Sequence, residues 1–521
     1  MGCNVKTAGK TGDEKMKCLC TGSTRIRFAV VLMSAVLFFA FGAAALSSAE
    51  EGRALQKAVE GVPGVLLKGK TQEEIRKDLP VSGAYRDETT PIAEDVEVTV
   101  AGKAETVSIV RYLSDLEILQ YRGDVLWTCI AAFLVFIMQA GFAMVESGFT
   151  RAKNAVNIMM KNIMDFCIGT IAFLIIGFHI MFAGPDEPLF FLGKTEATQW
   201  GFAFWLFQCV FAATTATIVS GGVAERCKFT SYLIYSLVIC AVIYPIFGGW
   251  AWGSLLDGSG WLEAVLGVGF YDFAGSTVVH SIGGWLALAG ALVIGPRVGK
   301  FDADGTPKAI PGHNLPFAVI GGFILWLGWF GFNPGSTTTF DGNLARIAVM
   351  TNIAGAAGGI GAMAAIWFYT QKPDVGMTVN GFLAGMVAVC AAVDVVNVFG
   401  ALIIGLVAGV LVVFSVIFIE RKLKVDDPVG CVSVHGVCGA WGTLAYAVFG
   451  VEQFSMTVLA AQLVGIGVAF AWSFGCGMAL FLAIKHTVGL RVTAEEEEVG
   501  LDIKEHGNEA YSGLQVDRHS Y

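Results

Sequence analysis

Charge is scarce in this chain. Asp, Glu, Lys and Arg make up 15% of its 521 residues, against the ~25% usual in soluble globular domains. With 55% of residues hydrophobic, an ordinary soluble protein is excluded and a polytopic membrane protein is expected. A disulfide framework is missing too. Cys3, Cys18 and Cys20 lie near the N-terminus, and the other nine of twelve cysteines sit in apolar segments, where a thiol behaves as a small hydrophobe. The net charge of −9 says little, because the charges gather in loops and at the two ends. No nucleic-acid partner is expected. Histidine is sparse, with seven in all, and this makes the position of each one informative.

Glycine, by contrast, is abundant (65 residues). Pairs four apart, as in "GFLAG" (381–385) and "GLVAG" (405–409), are expected to let helix backbones approach closely. The first 49 residues have the three parts of a secretory signal peptide. Lys15, Lys17, Arg25 and Arg27 precede an apolar run, and Ser47 and Ala49 offer small cleavage positions. An uncleaved anchor helix is the alternative. Residues 50–120 are polar and include alternating stretches such as "VEVTV", the pattern of a small extracytoplasmic segment.

Eleven stretches long enough to cross a bilayer begin near residues 124, 161, 200, 230, 272, 313, 344, 378, 398, 431 and 455. They define a membrane domain over residues 121–488. With the first starting outside, the cations sort by side. Inside gaps hold Arg151, Lys153, Lys161, Arg226, Lys228, Arg297, Lys300, Lys308, Lys372, Arg421, Lys422 and Lys424. Outside gaps hold only Lys194 and, near a helix end, Arg346. The positive-inside bias thus predicts a multi-pass protein with its N-terminus outside. Residues 489–521 form an inside acidic tail, too short for an enzyme domain, and no enzymatic activity or cofactor is expected.

Two segments stand apart. "YDFAGSTVVHSIGGW" (271–285) and "DPVGCVSVHGVCGAW" (427–441) both fit D-x-x-G-x-x-x-V-H-x-x-x-G. Asp272, Gly275, Val279, His280 and Gly284 match Asp427, Gly430, Val434, His435 and Gly439. The fifth span and the tenth run in opposite directions, so the copies face each other. If helical throughout, each places its histidine roughly 12 Å deeper than its aspartate. Opposed repeats of this kind mark transporters whose site lies at the midplane. An Asp at a helix start is often only an N-cap, the reading favoured for Asp427. Two histidines at matched depth are harder to dismiss, because ionisable groups inside a membrane are costly and face cavities or partners. His179, His313 and His486 fall near span ends instead. A neutral imidazole both donates and accepts a hydrogen bond. Paired rings therefore suit a path for a small neutral polar molecule, or a proton relay.

The sequence resembles the ammonium transporter/methylammonium permease/Rhesus family over about residues 121–515. The likeness rests on "AGFAMVESGFTRAKNAVNIMMKN" (140–162), "FQCVFAATTATIVSGGVAER" (207–226), "YDFAGSTVVH", "GWFGFNPGS" (328–336), "VSVHGVCG" and "GLDIKEHGNEAY". It implies an all-α fold of eleven transmembrane helices with an inverted five-helix repeat, assembled as a homotrimer in the cytoplasmic membrane. It further implies an outer ammonium site of Phe211, Trp252 and Ser336 with Asp272 nearby, and a phenyl gate of Phe211 and Phe332. The pore would be lined by His280, His435, Phe207 and Trp329. A PII-type signal protein at the inner face is the partner implied. Two departures are evident. The segment before the first helix is long for the family, and Gly430 stands where many members carry an acidic residue five before the second histidine.

Rival readings make distinct demands. Cys431, His435 and Cys438 share a helix face, and His280 would complete a zinc site; opposed histidines would likewise suit haem. An ammonium sensor on the same scaffold usually appends a kinase or cyclase output domain, for which the tail is short.

Overall fold

A single polar residue introduces five of the long helices. Thr198, Asn314, Asp374, Asn397 and Ser455 each accept a hydrogen bond from the backbone N–H three residues on. Each satisfies one of the orphan donors of a first turn before an apolar run begins. The structure, a computed structural model, describes residues 92–100, 103–111, 115–183, 198–256 and 258–511. The segment expected to be a signal peptide lies outside the described residues.

The membrane helices are α1 (Asp115–Phe149), α2 (Ala152–Phe182), α3 (Gln199–Val223), α4 (Phe229–Leu255), α5 (Ser276–Ile294) and α6 (Leu315–Gly335), followed by α7 (Asn343–Thr370), α8 (Val375–Val389), α9 (Val398–Leu423), α10 (Val432–Phe449) and α11 (Met456–Thr487). Ten are long and apolar enough to span a bilayer; α8, with 15 residues, is shorter. This is the expected eleven-helix architecture with its inverted five-helix repeat, α5 and α10 entering from opposite faces. Large apolar side chains such as Leu126, Phe133, Phe323 and Ile360 are exposed, as a lipid-facing surface requires. A short helix α12 (Ala494–Val499) follows on the face where the C-terminal segment docks, here the C-terminal face. Within the polar segment, β1 (Ile92–Val100) and β2 (Lys103–Arg111) form an antiparallel hairpin, matching the alternation read there.

Burial shows where the working centre is. The apolar windows of α3 and α5 are 83% buried, that of α11 only 22%. Glycines let the central helices touch backbone to backbone. A Cβ at Gly381 or Gly385 of α8, or at Gly405 or Gly409 of α9, would fall within 2.3 Å of atoms of α7. The small-residue pairs thus pack two helices on a third.

Two expectations need correction. The second span starts near residue 152, not 161, so Lys161 is not an inside-gap cation but a wholly buried residue of α2. The cluster of basic residues before it masked the true helix start. Nor is the stretch from Asp272 to His280 helical throughout: α5 begins only at Ser276, and His280 sits in its wide, π-helical first turn. The reason lies in α8. Because α8 stops early, its free carbonyls at Cys390 and Ala391 accept the N–H groups of Ala274 and Phe273, while Ser276 donates to Val387. Unwound backbone is tolerated at this depth because protein supplies its hydrogen bonds.

Candidate functional site

The repeated motif is a device for starting a helix inside the protein. Asp272 Oδ1 accepts from the N–H groups of Gly275 (3.0 Å) and Ser276 (2.9 Å), and Oδ2 from Thr277 (2.8 Å) and Val278 (2.9 Å). Asp427 does the same for α10, accepting from Gly430 and Cys431 (3.1 Å each) and Val432 (2.8 Å). Gly275 (φ 102°) and Gly430 (φ 80°) supply the left-handed turn between aspartate and helix. Both carboxylates are therefore committed to capping. Asp272 reaches the aromatic cluster through its carbonyl oxygen, which accepts from Trp252 Nε1 at 2.7 Å. At Gly430, a Cβ would also meet the Asn380 amide at 2.8 Å, so the missing acidic residue has neither backbone nor room here.

The last motif glycines bring the two copies together. A Cβ on Gly284 would lie 2.2 Å from the Gly436 nitrogen, and one on Gly439 2.2 Å from the Ser276 carbonyl. Through this crossing His280 and His435 meet, Nδ1 to Nδ1, at 3.2 Å, with ring centroids 5.2 Å apart. One ring must donate and the other accept. Two imidazolium ions, donating from every nitrogen, could not make this contact, and the pair shares a single proton between the facing atoms. The other nitrogen of His280, Nε2, is buried and has no partner among the described residues.

Aromatic rings continue the column. His280 stacks on Phe332 (5.1 Å) and Trp329 (5.3 Å), both at 25°. Phe332 stacks on Phe211 at 4.1 Å and 20°. Phe211 in turn meets Phe207 at 4.6 Å and the edge of Trp252 at 6.4 Å. Ser336, one turn past Phe332, donates to the Phe332 carbonyl (2.8 Å), which leaves its oxygen lone pairs as acceptors. Phe211, Phe332 and Trp329 are each under 2% exposed, whereas Trp252 (8%) and Ser336 lie nearer the surface. The structure thus gathers eight of the nine residues singled out from sequence into one column, with the ninth, Asp272, beside it as a cap. On the far side, His435 lies 6.1 Å from Phe142 and lines a cavity opening toward the C-terminal face.

Sequence reasoning missed what flanks that cavity. Glu146, Lys161 and Asp165 are buried within the helices beside it. An acidic residue inside an apolar run was the available signal for Glu146. The rival metal ligands do not converge. Cys431 Sγ turns to Asp427 (3.2 Å) and Cys438 Sγ to the Ala408 carbonyl (3.6 Å). Among the described residues no group of three or more His, Cys, Asp or Glu is placed to hold a metal ion.

An eleven-helix bundle with two opposed, Asp-capped half-helices meeting at a histidine pair defines a membrane transporter or channel of the inverted-repeat class. The model of the Ammonium Transporter Family matches residues 126–511, and the chain belongs to that family. It is 46% identical to ammonium transporter Amt2 of Archaeoglobus fulgidus over 74% of this chain and 88% of that one. A solved structure titled Sensor Amt Protein superposes with a TM-score of 0.71 at 42% identity, covering 75% of this chain and all of the other. Mep2 of Candida albicans superposes with a TM-score of 0.64 at 28% identity, over 74% and 89% of the two chains.

Proposed function

We propose that this chain carries ammonium by splitting it. The cation is held at the mouth by the faces of Trp252 and Phe211 and by the Ser336 oxygen, a cation–π site with one hydrogen-bond acceptor. Neither feature separates ammonium from potassium. The Phe211–Phe332 stack does, because a bare cation cannot cross it without losing its hydration, whereas ammonium can shed a proton and pass as ammonia. Ammonia then exchanges hydrogen bonds with the imidazole pair, and the unpartnered Nε2 of His280 offers it the first one. The proton follows through the pair, so each ammonia moves with one positive charge. The observation that carries this reading is the 3.2 Å contact between the two Nδ1 atoms, closed off by stacked rings on one side and open to a cavity on the other.

The same proposal places the chain as a homotrimer in the cytoplasmic membrane, N-terminus outside. The clustering of Arg151, Lys153, Arg226, Lys228, Arg297 and Lys300 on the C-terminal face supports that face as the inner one. A PII-type protein is the partner proposed there. Residues 1–49 are proposed as the signal peptide, 50–120 as the outer segment, 121–488 as the membrane domain and 489–521 as the regulatory tail.

Current recording on solid-supported proteoliposomes after an ammonium jump tests the mechanism. His280→Leu removes one partner of the proton-sharing contact and is expected to lower the current by at least about tenfold. A current unchanged in that variant sinks the histidine relay; ammonia entry with no current in the unaltered protein sinks the electrogenic form. The likeness to the Sensor Amt Protein favours a second reading, an ammonium sensor. Ammonium binding with neither current nor ammonia entry would select it.

A further inference from the structure

The cavity beyond His435 contains a carboxylate that the path above leaves unused. Its wall includes Phe142, Thr217, Asn380, His435 and Glu146. Glu146 is 3% exposed, and its Oε2 accepts from the Ser220 hydroxyl at 2.7 Å. That is a different arrangement from Asp272, whose two oxygens take four backbone N–H groups. Asp272 is held for structure; Glu146 faces a space with room for water. Lys161 supplies the neighbouring positive charge. Its Nζ is buried, lies 5.3 Å from the centre of the Tyr232 ring and has no hydrogen-bond partner among the described residues. Protonating Glu146 therefore breaks no hydrogen-bonded ion pair. Asp165, the third charge, is tied up by the Tyr232 hydroxyl and by Gln139 (2.6 Å). Of the three buried charges, only Glu146 shares the cavity wall with His435.

We propose that Glu146 is the proton acceptor on the C-terminal side of the conduit, taking the proton that leaves the imidazole pair and passing it to the mouth. This rests on the electrogenic reading above. As the pair takes up the proton that ammonium sheds, an N–H bond on its cavity side breaks and an O–H bond forms on cavity water. That water in turn gives a proton to the carboxylate, so the pair stays neutral. Release from the carboxyl group to water at the mouth restores the anion, and ammonia arriving there takes up a proton to re-form ammonium. No electrons change hands, and one charge crosses per ammonia. Lys161 is the cation that the carboxylate faces once the proton has moved on. A buried carboxylate without a nearby cation would hold its proton.

Glu146→Gln keeps the shape and the acceptor for Ser220 but cannot carry the proton. In proteoliposomes, currents after an ammonium jump and ammonia entry read as uptake of 15N-labelled nitrogen are measured on the same preparation. The current is expected to fall at least about fivefold while ammonia entry stays within about twofold, a split that general packing damage would not produce. Glu146→Asp, which keeps a carboxylate, is expected to recover part of the current. An unchanged current in E146Q overturns the proposal, as does an equal loss of current and ammonia entry. If E146Q does not assemble, Lys161→Met serves in its place. Without the cation the proton stays on Glu146, and current falls while ammonia still enters; an undiminished current in K161M overturns the proposal. Failure of the underlying reading looks different: the unaltered protein then admits ammonia with no current at all.

Discussion

Gly284→Ala is expected to cost about 3 kcal/mol or more of stability, and to part the two imidazoles even in the fraction that folds. The added methyl would sit 2.2 Å from the Gly436 nitrogen, 2.5 Å from its Cα and 3.0 Å from the His435 carbonyl carbon. These are backbone atoms, which cannot swing aside as a long side chain could. α5 and α10 would have to separate, and their separation is what sets the 3.2 Å histidine contact. Gly439→Ala should behave alike, since its methyl meets the Ser276 carbonyl at 2.2 Å and Ser281 Oγ at 2.6 Å. Gly467 of α11 provides the control. Nothing lies within 4 Å of a Cβ there, and alanine in an exposed helix position is favoured over glycine by about 0.5–1 kcal/mol. Thermal unfolding in detergent, read as the fraction still monodisperse after heating, checks all three. Equal melting of G284A and G467A would mean that the crossing is not as tight as its geometry states.

The same glycines show how much the sequence disclosed. Their recurrence at fixed distance from Asp and His was visible, and so was the opposed direction of the two copies, because apolar runs count membrane crossings. The aromatic column was legible only through the family's motifs: Phe and Trp are too common here for residue type to single out Phe211 or Trp329. The division of labour within the motif was not legible. The family likeness placed Asp272 close to the cation site. The folded chain spends both its oxygens on four N–H groups and leaves Trp252 only the backbone carbonyl. That choice depends on where the helix begins, which is fixed by the early end of α8, more than a hundred residues away. Lys161 was misread for a related reason. A lysine following Arg151 and Lys153 looks like one more loop cation, and only the packing of α2 against α3 and α4 shows it enclosed. Local pattern reports periodicity and charge well. It does not report which distant backbone will satisfy an unwound segment.

Replacing Arg297 with Met is expected to cost about 3–5 kcal/mol, the usual penalty for stranding a buried ionic partner. Its fork binds Asp426 through Nε and Nη2 (both 2.9 Å) and Glu225 through Nη1 (2.8 Å). Glu225 is also held by Arg151 Nε (3.1 Å) and Asn154 (3.1 Å), and the Asp426 carbonyl by Arg226 (2.8 Å). Burial by itself would raise the Glu225 carboxyl, but Arg297 and Arg151 override it and bring it down to about 2. Asp426 is likewise lowered, burial being outweighed by Arg226 and Arg297. A carboxyl depressed in the folded state stabilises fully above its unfolded value, about 4.3 for Glu, and loses that contribution as pH falls toward 2. The unaltered protein should therefore weaken steeply between about pH 4.5 and 2.5. R297M should be weaker at pH 7 and show a shallower acid decline, because less is left to lose. Melting curves in detergent across that range decide it, and a variant melting like the unaltered protein at pH 7 would show the network to be dispensable. The consequence reaches the pore. Asp426 precedes Asp427, the cap that starts α10 and so positions His435, and Glu497 near the docked C-terminal segment accepts from the neighbouring Val298 N–H (2.6 Å) and from Arg491 (2.7 Å). Loosening Arg297 should thus lower transport as well as stability, by releasing the tail and the base of α10 together.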